Sequence, residues 1–155
     1  MGADLYIESI SEREKNKWKG LFDSSVDLRN KASSDYEKEG YQKQVNKYYD
    51  LMYAEDGYFR DSYNSTNLLY QLGLSWWDDV IPQLDKNSYL STEGAEWFLK
   101  EIQSRTVGKI DIPKACITKE NPEEKWEQYF ISKHEELEGF LKRAIGLKEK
   151  ILCSL

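Results

Sequence analysis

One histidine, two cysteines and three prolines are all that this 155-residue chain carries of those residues, and each scarcity closes a route. A serine triad would have to recruit His134, and no GxSxG elbow accompanies it. In "HEELE" the zinc motif HExxH has Glu138 where its second histidine belongs, so His134 and Glu138 make at most an incomplete metal site. A packed or solvated histidine is the simpler reading. A di-iron Glu-x-x-His pair fails as well, because Ile131 stands three residues before His134. Cys116 and Cys153 are distant in sequence and form no CxxC, so two reduced thiols are expected. Neither GxGxxG nor a P-loop occurs. The chain therefore reads as no metalloenzyme and no conventional hydrolase, with no catalytic residue, metal or cofactor assigned.

Long apolar runs are missing too. None approaches the roughly 20 residues that span a bilayer, and the first residues lack a basic start and an apolar core of a secretory signal. A cytoplasmic address without membrane contact is expected. Met1-Gly2 suggests N-myristoylation, but Tyr6 occupies the position that motif gives to Ser or Thr. Positive charge is outweighed: 22 basic against 28 acidic residues give a net charge of −6, which repels phosphate backbones and argues against direct nucleic-acid binding.

What is abundant is aromatic carbon. At 14% aromatic and 39% hydrophobic the chain can fold, and its length suits one domain, residues 1–155, with a single core. "ADLYIES" favours a short strand or extended arm ending at Ser9 or Ser11. Ser11 and Glu14 then have capping-box spacing ahead of Trp18, Leu21, Phe22, Val26 and Leu28, predicting a helix to about Ala32. Tyr41, Val45, Tyr48, Tyr49 and Met52 predict a second helix over about 35–54, joined to the first as an antiparallel hairpin. Ser65 or Thr66 is expected to cap a short helix through Leu68, Leu69 and Leu72, and Ser75 another that stops near Pro82. Ser91 or Thr92 opens a helix over 92–104. Around Ile110 and Ile112 an edge strand or long loop is expected, which can pair with the N-terminal arm as a minor two-stranded β element. Asn121 as cap and Pro122 at the first position start a last helix to about 150, with Trp126, Phe130, Leu137, Leu141 and Ile145 on its buried stripe. The fold class expected is mainly α, a single-domain helical bundle with an irregular aromatic middle segment.

That middle segment, "GYFRDSYNSTNLLYQLGLSWW" at 57–77, holds only Arg60 and Asp61 as charged residues among six aromatics. Core packing accounts for its apolar members. Its polar company suits a binding surface: Tyr58, Arg60, Asp61, Tyr63, Asn64, Asn67, Trp76 and Trp77 combine a guanidinium, amides and aromatic edges, the chemistry of interface anchors and of planar-ligand sites. Alternatively, Arg60 and Asp61 anchor the segment through buried hydrogen bonds. Asp78-Asp79 reads as a helix-start feature.

The stretches "MGADLYI", "GYFRDSYN" and "LLYQLGLSWWDD" together resemble a group of small proteins of bacteria and their viruses, more closely in the first half of the chain than in the second. The resemblance carries no known activity across. It implies at most an inhibitor of a host protein. The expected function is an acidic protein-interaction module using residues 57–79, with another protein as partner, and no enzyme; the alternative is a protein binding a planar or nucleotide-like small molecule through the same segment.

Overall fold

The computed structural model describes residues 2–53, 55–62 and 66–155. With 64% helix against 11% strand, the protein is mainly α with a small four-stranded antiparallel sheet. It divides into two compact units, one built from residues 1–7 and 59–155 and the other from residues 8–58.

The first unit begins with β1 (Gly2–Tyr6), whose neighbours in the sheet are β2 (Tyr58–Ser62) and β4 (Ile151–Ser154); β3 (Tyr89–Leu90) completes the order β2-β1-β4-β3. β1 runs antiparallel to β4 with Leu5 opposite Cys153, and β3 antiparallel to β4 with Leu90 opposite Ile151. Alternation decides which face is buried: Ala3, Leu5, Phe59, Leu90 and Ile151 are all fully buried. Gly2 is required by a close approach, since a Cβ there would lie 2.6 Å from the Asp61 carbonyl oxygen.

α4 (Thr92–Gln103) and α5 (Glu123–Leu147) supply the rest of this core through Phe98, Ile102, Phe130, Leu137, Phe140 and Leu141. Phe59 of the sheet meets Phe140 with ring centroids 6.2 Å apart. Ser91 caps α4 by accepting the Gly94 N–H, as its position suggested. His134 is a packing residue: its Nε2–H donates to the Ile102 carbonyl at 2.8 Å, tying α5 to the end of α4. α5 ends on Lys148 in the left-handed conformation (φ 53°) and the chain turns directly into β4.

The second unit is the expected hairpin, α1 (Glu8–Lys31) and α2 (Asp35–Met52). Ser34 caps α2 through the Glu37 N–H. Trp18 stacks on Tyr48 at 6.0 Å, Phe22 meets Tyr49 at 6.2 Å, and Arg29 Nη1 donates to Gln42 Oε1. Among its described residues the large apolar side chains it buries are Val45 and Met52, each 6% exposed.

Several expectations need correction. α1 starts a turn before the Ser11/Glu14 box: the Ser11 hydroxyl donates back to the Glu8 carbonyl, and Glu14 accepts the Trp18 indole N–H instead. The start of the middle segment is a strand, β2. Ser65 lies outside the described residues, and the cap of α3 (Leu68–Gln71) is Asn67 rather than Thr66. Pro122 itself is the boundary residue of α5, one position later than Asn121. Residues around Ile110 and Ile112 form a loop with a single 3-10 turn at Lys114–Cys116, and the N-terminal strand pairs with β4.

Candidate functional site

The middle segment is organised around one carboxylate. Alternation along β2 turns Phe59 and Asp61 inward and Arg60 outward, so a charged side chain is carried into the core at 3% exposure. Four N–H groups meet it: Ser62 and Leu68 backbone N–H donate to Oδ1 at 2.9 Å each, Leu69 N–H to Oδ2 at 3.3 Å, and Trp76 Nε1–H to Oδ2 at 2.9 Å. Two of these donors belong to the first turn of α3, where no intrahelical acceptor exists. Burial raises the Asp61 carboxyl above the ordinary carboxylate range, and the four hydrogen bonds offset part of that rise. Asp61 thus performs the anchoring role that was the alternative to ligand binding.

Trp76 and Trp77 separate completely. Ser75 caps a π turn over Trp76–Val80, accepting from Asp78 N–H while its own N–H donates to the Asp79 carboxylate at 2.8 Å. This reciprocal pair gives Asp78-Asp79 its helix-start role. Trp76 enters the core, 2% exposed and edge-on to Phe98 at 5.7 Å, whereas Trp77 is 59% exposed. Just before the turn, Gly73 adopts φ 74°, and Arg105 Nη1 donates to the carbonyls of Leu72 and Gly73, closing the end of α3.

Of the other candidates, Tyr58 is half-buried with its ring 5.7 Å from Tyr53. The Arg60 side chain is largely solvated, its Nε 3.7 Å from Asp4 Oδ1, and its carbonyl accepts from Lys133 Nζ. Asn67 is spent on the helix cap. Tyr63 and Asn64 lie outside the described residues. The structure therefore joins Asp61 to Trp76 within the core and leaves Arg60 and Trp77 facing water.

Residues missed from the sequence line a groove of about 340 Å³ beside Ser62 and Thr66: Asn121, Lys125, Trp126 and Tyr129. Trp126 donates its indole N–H to the Cys116 carbonyl and meets Tyr129 edge-on at 5.9 Å, so it walls a cleft instead of filling the core. Partial burial, with the Asp61 and Glu136 carboxylates nearby, pushes the Tyr129 phenol up from its ordinary value. The signal was the three-residue spacing of Trp126 and Tyr129, two large aromatics on one side of a helix among charged neighbours.

Among the described residues no group of three or more His, Cys, Asp and Glu side chains is placed to hold a metal ion, and no helix is long and apolar enough to cross a membrane. Comparison of the chain with protein-family models, with curated proteins and with solved structures returned no match.

Proposed function

We propose that this is a protein-interaction module whose contact surface is centred on Trp77. The observation that carries the reading is the display of a 59% exposed indole on a turn whose preceding residue, Trp76, is locked into the core. An aromatic held by its neighbours loses little freedom on docking, which is what makes tryptophan effective as an interface anchor. Arg60 adds a solvated guanidinium from the same segment. Inhibition of a host protein, implied by the resemblance to small bacterial and viral proteins, is one form such binding takes. The test is affinity purification from the native host with the parent chain and with Trp77→Ala. A partner held by the parent and released by a variant of unchanged melting temperature supports the reading; equal retention overturns it.

The groove favours a second reading, a planar anionic small molecule set against Trp126 and Tyr129 with Lys125 at its charged end. Native mass spectrometry of protein purified from its host tests this directly: a co-purifying small molecule lost on Trp126→Ala supports it, and bare protein counts against it.

A further inference from the structure

The hairpin carries a second seam beside the one it uses. Phe22 against Tyr49 marks one flank of the α1–α2 pair. One residue earlier on each helix, Leu21 and Tyr48 turn about 100° to the other side, and because the helices are antiparallel this is the same flank for both. From Leu21 the flank continues along α1 at alternating spacings of four and three, through Ser24 to Leu28, with Lys17 and Lys31 at its ends. Along α2 it runs from Glu37 through Tyr41 to Tyr48. Alternating four-and-three spacing is what lets one helix pair lie along another. Tyr48 of this flank stacks on Trp18 within the hairpin, while its two leucines stay open to solvent, Leu21 48% and Leu28 44% exposed.

We propose that this flank docks a second copy of the chain, hairpin on hairpin, as a four-helix bundle with α1 of each copy on α2 of the other. Charge selects both the occupant and the arrangement. With the two-fold axis along the hairpin, Lys31, which pairs with Asp27 of its own helix at 2.9 Å, also faces Glu37 of the second copy on both sides of the axis, and Lys17, 5.1 Å from the Trp18 ring centre, approaches Tyr48 of the second copy beside Lys47. Every adjacent helix is then antiparallel. Packing α1 on α1 would set Lys17 against Lys31, an unfavourable like-charge contact. Helices of 24 and 18 residues give a face of about 20 by 27 Å, at the small end for stable interfaces, so dissociation in the micromolar range is expected.

This inference goes beyond the Trp77 reading and does not use that residue. The experiment is sedimentation velocity on the purified full chain across the micromolar range, with helix content followed by circular dichroism. The parent is expected to pass from monomer to dimer as concentration rises, and Trp77→Ala to do the same. Leu21→Glu with Leu28→Glu, at exposed positions, is expected to weaken the dimer at least about tenfold. Glu37→Lys is expected to weaken it about fivefold by opposing Lys31 of the second copy, and adding Lys31→Glu to the same chain to restore it. A monomer at every concentration, a dimer indifferent to the leucine pair, or no recovery in the double charge reversal overturns the proposal. A partner lost on Trp77→Ala with no dimer, or a dimer with no such partner, separates the two readings.

Discussion

The indole N–H of Trp76 donates to the carboxylate of Asp61 at 2.9 Å, fifteen residues away along the chain and inside the core. With Leu68 and Leu69 N–H on the same carboxylate, β2, α3 and the π turn are tied to one side chain. Asp61→Ala would leave four N–H groups without that acceptor, three of them in the backbone. A loss of about 3 kcal/mol or more in chemical denaturation is expected. Trp76→Phe, which keeps an aromatic side chain but replaces the indole with a smaller ring and deletes one donor, is expected to cost about 2 kcal/mol. A fall of the same size for both would contradict the network.

The raised Asp61 carboxyl also gives a pH dependence of definite sign. A carboxyl whose folded value lies above its unfolded value holds its proton longer in the native state. Its contribution is therefore complete below the unfolded value, near pH 4, and is lost as pH rises through the folded value. The advantage of the parent over Asp61→Asn in denaturant titrations should shrink across that window and then level off. An advantage that grows with pH would reverse the assignment.

Adjacent tryptophans should behave as opposites. Trp76→Ala removes a buried ring and is expected to cost about 3–5 kcal/mol of stability. Trp77→Ala is expected to change stability by less than about 1 kcal/mol while weakening partner binding by about 2 kcal/mol. Arg60→Ala, which deletes a solvated pair with Asp4 at 3.7 Å, should likewise leave melting nearly unchanged.

The two thiols should differ sharply in reactivity. Cys153 is 2% exposed in β4, and burial pushes its thiol up to about 12, whereas Cys116 is partly exposed on a loop turn. A thiol reagent under native conditions is expected to label one site, Cys116, rapidly, and Cys153 only at the rate of unfolding. Equal labelling rates would show that the sheet opens far more readily than its burial implies.

The elements legible in the sequence are those announced by local side chains. Ser75, Ser91 and the apolar spacing of α2 and α4 carry their instructions within one or two turns, so the mainly α class and these boundaries were readable. Of the strands, β1 falls within the short strand or arm expected over ADLYIES, and β2, β3 and β4 were not legible. β2 offers only two inward positions, and one holds Asp61, which breaks the apolar alternation by which a half-buried strand is recognised. β4 is four residues long, and its pairing with β1 depends on residues almost a whole chain apart. Choosing between Trp76 and Trp77 was equally beyond local pattern, because a rotation of about 100° sets one inside and the other outside, and tertiary packing alone decides which. The groove escaped for a related reason: Trp126 has the spacing of a core residue, and its diversion to the Cys116 carbonyl follows from a loop with no periodicity.

Because the hairpin is inserted between two neighbouring strands, β1 and β2, the sheet has an unusual assembly problem. β1 must find β2 beyond the hairpin and β4 near the far end of the chain, where Leu5 pairs with Cys153, and such distant pairings form later than local helical contacts. The loop-entropy penalty itself is mild, about 0.6 kcal/mol for each doubling of loop length. Helices form far faster than such pairings. If α1 and α2 close first, residues 8–58 cease to be a flexible loop, and β1 has a shorter effective search for β2. The insertion that displays the amphipathic flank would then also be a kinetic shortcut, shaping the rate at which the sheet is completed.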